Sequence, residues 1–79
     1  MCGKYIIFIR AGMEFPVLIP NHFVSHNEIQ GNFADKPVSA GFFKIADGKV
    51  TAYGQSISLK LESRAGDSSL IAKQFGIID

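Results

Sequence analysis

The sequence predicts an α+β domain: an antiparallel sheet of four to five strands, a C-terminal helix packed on one face, and a short helix or turn between strands two and three. Three observations carry this expectation. Short runs rich in Ile, Val and Phe recur along the chain, bounded by glycine or proline. The link Ala11-Gly12-Met13 and the pair Asp47-Gly48 both suit hairpins. Near the C-terminus the pattern changes to helical spacing and stops at Gly76.

Residues 4–10 read Lys-Tyr-Ile-Ile-Phe-Ile-Arg, β-branched and aromatic, and form the first strand. Residues 14–19 form the second. Pro16 has no N–H to give a ladder, so this strand belongs at an edge or starts after the proline. Residues 20–35 turn polar. Within them Ser25 and Glu28 have the spacing of a capping box, and Gly31 suits a stop, which predicts a helix of two turns at most. Residues 38–45 make a third strand. Asp47-Gly48 tolerates the positive φ of a type I′ turn, and residues 49–53 return as the fourth. Gly54 marks a bulge or bend. Residues 56–62 alternate, with Ile57, Leu59 and Leu61 on one side and Ser58, Lys60 and Glu62 on the other, which predicts a half-wet strand. Asp67 or Ser68 suits the cap of a helix running to about Phe75, with Leu70, Ile71 and Phe75 as its docking stripe. The expected core joins Val38, Ala40, Phe42, Ile57, Leu59 and Leu61 to that stripe and to Ile6, Phe8 and Val17.

The chain has 79 residues, so residues 1–79 are expected to form one domain. That length excludes dinucleotide-binding sheets and (β/α)₈ barrels. Hydrophobic residues make up 47% and charged residues 19%, a foldable composition. Eight basic against seven acidic residues give a net charge of +1. This excludes a polyanionic DNA mimic and a strongly basic nucleic-acid binder, while a local patch remains open. One cysteine, Cys2, makes no disulfide within the chain, and two histidines with one cysteine are too few for an ordinary structural zinc site. No apolar run approaches the length of a membrane span, and no signal segment is recognisable, so the expected location is the cytoplasm.

Few residues point to chemistry. Cys2 would become an N-terminal nucleophile if Met1 were removed. Met1-Cys2-Gly3 resembles the start of class II glutamine amidotransferases, and with Lys4-Tyr5 that of the peptidase-like proteins that crosslink to abasic DNA. Both groups need much longer chains, and the simpler reading is an unremarkable thiol on a frayed end. His22 and His26 have the spacing of helical zinc ligands, but Phe23 stands where such sites carry glutamate. No phosphate loop, nucleophile elbow or Cys-x-x-Cys pair is present. The expectation is a protein that is not an enzyme and needs no cofactor or metal. Lys44, Lys49, Lys60 and Arg64 lie in or beside the central strands. With Tyr53 or Phe43 on a wet face they would make a nucleic-acid surface, although Asp47, Glu62 and Asp67 are close and solvated charge is the simpler account. Phe43, Lys44, Lys60, Arg64 and Asp67 are the candidate partner-binding residues.

The segments Lys4-Tyr5-Ile6-Ile7-Phe8, Phe15-Pro16-Val17-Leu18-Ile19-Pro20, Pro37-Val38-Ser39-Ala40-Gly41-Phe42 and Tyr53-Gly54-Gln55-Ser56-Ile57-Ser58-Leu59, with Ser63-Arg64 and Asp67, resemble small phage and prophage proteins. The resemblance implies a non-enzymatic protein that binds a host protein, in the size class of anti-CRISPR and other anti-defence inhibitors. A nucleic-acid-binding module is the alternative. A homodimer is also expected: a thin core lacks disulfide or metal, and if Phe42 faces the C-terminal helix, then Phe43 and Ile45 need cover from a second copy. The segment of residues 20–35, through Phe23, Val24, Ile29 and Phe33, is the competing cover.

Overall fold

The computed structural model describes residues 1–19 and 24–76. Its elements follow the order β1 (Cys2–Arg10), β2 (Met13–Ile19), α1 (His26–Gly31), β3 (Lys36–Ala46), β4 (Lys49–Tyr53), β5 (Gln55–Ser56), β6 (Leu61–Glu62) and α2 (Asp67–Gln74). The four long strands form an antiparallel sheet in the order β2-β1-β3-β4, and β5 and β6 pair as a small second ribbon. The α+β class, the antiparallel sheet, the short helix after β2 and the C-terminal helix all agree with the sequence reading. No helix of the described residues is long and apolar enough to cross a membrane.

Two turns fix the register. Ala11 and Gly12 take φ of 51° and 80°, and Asp47 and Gly48 take 53° and 71°. Both pairs therefore have the positive φ of type I′ hairpins, whose twist matches that of the strands. Arg10 lies opposite Met13, and Ala46 opposite Lys49. β2 is an edge strand, as Pro16 requires. The first strand starts earlier than its apolar run. Met1 donates to the Ile45 carbonyl at 3.1 Å and accepts from the Ile45 N–H at 2.7 Å, so the expected frayed end is instead zipped into the sheet.

Each face of the sheet carries its own apolar cluster. Tyr5, Ile7, Phe43 and Val50 pack under Ile71 and Ala72 of α2. Ile6, Phe8 and Ala40 pack under Ile29 of α1, with Phe15, Phe33, Leu59 and Leu61 around them. Phe8 stacks between Phe15 and Phe33, at centroid distances of 5.9 and 4.8 Å. Burial of each large side chain contributes about 1.5–3 kcal/mol, so neither face is dispensable in so short a chain.

Three expectations are corrected. Phe43 is the phenylalanine that faces the C-terminal helix and is wholly buried, while Phe42 lies on the α1 face. Residues 56–62 are not one strand. Ser56 Oγ accepts from the Leu59 N–H at 3.3 Å, and Lys60 N–H reaches the Ile57 carbonyl at 3.3 Å, which closes a turn between β5 and β6. Ile57 therefore points outward, 82% exposed, instead of joining the core. Phe75 caps α2 and is also exposed, leaving Leu70, Ile71 and Ala72 to dock the helix.

Candidate binding face

α1 covers only part of its face of the sheet. Ser25 caps the helix, its hydroxyl accepting from the Glu28 N–H at 3.1 Å, as the capping-box spacing foretold. That anchors His26 at the first position. Its Nε2 lies 2.8 Å from the Gly41 carbonyl oxygen, which can only accept, so the ring carries its proton on Nε2. Its ring meets Phe42 edge-on at 5.5 Å. Burial holds the imidazole below its ordinary pKa, against the Gly41 bond and with the help of Lys4. His26 is thus a packed, neutral residue at the helix foot.

Beyond His26 the face is open. A groove of about 630 Å³ runs between α1 and the β5–β6 turn, with Lys4, His26, Phe42, Tyr53 and Ile57 among its walls. Tyr53 is 46% exposed and its ring lies 6.0 Å from that of Phe42. A second trough of about 550 Å³ lies on the far side of the same turn, beside Val38, Lys60, Leu61 and Arg64.

A third cluster is structural. The Asp67 carboxylate is fully buried. It accepts the Tyr5 hydroxyl at 2.7 Å, the Arg64 N–H at 3.0 Å and Arg64 Nε at 3.2 Å. Arg64 also reaches Glu14 at 2.7 Å, which ties the start of α2 to β1 and β2. Burial, with Asp67 beside it, raises the Tyr5 pKa well above its ordinary value, and the Arg64 bond holds Glu14 below the usual carboxylate range.

The candidate residues of the sequence therefore separate. Phe43 and Asp67 are wholly buried and are unavailable to a partner. Arg64 is engaged by Glu14 and Asp67. Lys44 and Lys60 are exposed, but Lys44 lies on β3 and Lys60 at the β5–β6 turn, so the five do not form one site. Cys2 is an exposed free thiol on β1. His22 lies outside the described residues, as does Phe23; among the described residues no group of three or more His, Cys, Asp or Glu is placed to hold a metal.

Three contributors were missed by the sequence reading: Lys4, Phe42 and Ile57. The signal for Phe42 was present. A two-residue turn at Asp47-Gly48 forces Ala46 opposite Lys49, and counting back puts Phe42 opposite Tyr53. Comparison with known proteins finds no family model, no curated protein and no solved structure that matches this chain.

Proposed function

We propose that this protein is a non-enzymatic binding module whose working surface is the open part of the α1 face. One observation carries the reading. The α2 face is closed over Tyr5, Ile7 and Phe43, whereas Phe42, Tyr53 and Ile57 border a groove on the other face. An exposed tyrosine ring beside half-buried Phe42, and an exposed isoleucine at a turn tip, are the kind of anchors that partners bury. A host protein, a defence complex among them, is one occupant for such a surface. Single-stranded nucleic acid is the other, and the charge of the face distinguishes them.

Photo-crosslinking tests the reading. A photoreactive amino acid replaces Ile57 in one protein and Ser69, exposed on α2, in another. In lysate of the host cell, position 57 should yield a defined crosslinked species and position 69 should not. Equal yields at the two positions would reject this face as the binding surface.

A further inference from the structure

The open part of the face has a consistent chemistry. Residues opposite each other on an antiparallel ladder share a face, and alternate residues of a strand return to it. Lys4, Phe42 and Tyr53 stand in one row across β1, β3 and β4. Cys2, Lys44 and Thr51 form the next row, and Ala46 with Lys49 the one after. Successive rows lie about 6.8 Å apart along the strands. The Phe42 and Tyr53 rings are 30° from parallel and line the groove together with Lys4. None of these rows contains a carboxylate. Glu28 borders the groove from α1, and Asp47 sits in the β3–β4 turn beyond the last row.

Both arginines are neutralised. Arg10 is held by Asp35 at 2.8 Å, and Arg64 by Glu14 and Asp67. Among the described residues neither Lys44 nor Lys49 is paired with a carboxylate. A protein covering this face would have to bring acidic groups to several lysines or leave them desolvated, which is costly. A single nucleic-acid strand brings a complement to both features of the face: regularly spaced negative charge for the lysines and flat bases for the Tyr53 and Phe42 rings.

We propose that this face binds single-stranded nucleic acid, with bases stacking on Tyr53 and Phe42 and backbone phosphates meeting Lys44 and Lys49. The proposal rests on the reading of this face as the binding surface. It requires an unpaired strand, because a base within a duplex is already stacked on its neighbours and does not offer its ring.

Fluorescence anisotropy with the full chain tests it, using labelled oligothymidylate and oligouridylate of about twelve nucleotides. Both are expected to bind, because stackable bases and backbone phosphates are common to the two. Two phosphate contacts on a single strand give a log–log salt slope of about −1.4, or roughly a sevenfold loss between about 50 and 200 mM salt. Tyr53→Ala should raise Kd about tenfold through the loss of one stacked base, and Tyr53→Phe should restore it. The double variant Lys44→Gln/Lys49→Gln should bring the slope close to zero. Circular dichroism of each variant should match the parent.

Several results would overturn the proposal: no binding at low salt, Tyr53→Ala binding as the parent does, or inorganic polyphosphate binding as tightly as the oligonucleotides. If the oligonucleotides fail while crosslinks from position 57 are to a protein, the face is a protein-binding surface and the nucleic-acid proposal falls alone. If both fail, the binding-face reading falls with it.

Discussion

Asp67 shows how much one buried carboxylate organises. It joins Tyr5 from β1 to the Arg64 N–H at the mouth of α2. Tyr5→Phe removes one hydrogen bond and leaves the Arg64 contacts, so it should cost about 1–2 kcal/mol in urea unfolding. Asp67→Ala strands the Tyr5 hydroxyl and the Arg64 N–H together and should cost more, about 2–4 kcal/mol. The Tyr5 pKa is raised above its ordinary 10.0, so its contribution is intact below pH 10.0. It is lost as pH climbs further, because the unfolded chain ionises first. The parent should lose stability above that pH faster than Tyr5→Phe. His26 works in the opposite direction. Its pKa is lowered from 6.5, so the unfolded chain takes up the proton first and stability falls as pH drops below 6.5. Glu14 and Asp35, both lowered from the carboxylate range, lose their contributions only at more acid pH. A urea midpoint that falls between pH 7.5 and 5.5 in the parent should fall less in His26→Gln. An equal fall would mean that the ring is not buried neutral.

At the scale of elements, the turns carried most of what the sequence disclosed. Asp47-Gly48 and Ala11-Gly12 are local chemistry, so both hairpins were legible from short strings. The cap of α1 was legible for the same reason, since Ser25 and Glu28 are three residues apart. Residues 56–62 were not, because alternation is also compatible with a turn when a serine hydroxyl takes a backbone N–H. Here Ser56 does so, and Lys60 accepts a φ of 56°. The cap expected at α2 also failed: Asp67 turns inward to Tyr5, and Ser68 takes the Ala52 N–H at 2.9 Å, covering part of the outer edge of β4. Such long-range uses leave no local pattern. Gly41 is a further case. A Cβ there would fall 2.5 Å from the Tyr53 carbonyl oxygen, where the chain leaves β4. Gly41→Ala must therefore push the Tyr53–Gly54 backbone aside. It should destabilise by about 1–3 kcal/mol in thermal or urea unfolding, the usual cost of overpacking. A neutral result would show that this crossing is loose.

For the whole molecule, the choice between Phe42 and Phe43 decides what is covered. The expectation of a homodimer rested on Phe43 and Ile45 lacking cover, but both pack in the α2 cluster. The competing cover is the one seen, with Val24, Ile29 and Phe33 folded over the other face. What stays open bears Lys44 and Lys49, and a two-fold contact through it would set like charges against each other. Light scattering at low micromolar concentration should give a mass near 8.6 kDa, and twice that mass would reveal a self-contact elsewhere.

Amide chemical shifts map the occupied face directly. In a titration of the isotopically labelled chain with oligothymidylate, the amides of Lys4, Phe42, Lys44, Thr51 and Tyr53 should move together and saturate, while those of Ile71 and Ala72 under α2 stay in place. Shifts centred on α2, or spread over exposed lysines without regard to the three rows, would mean that this face is not where the strand binds.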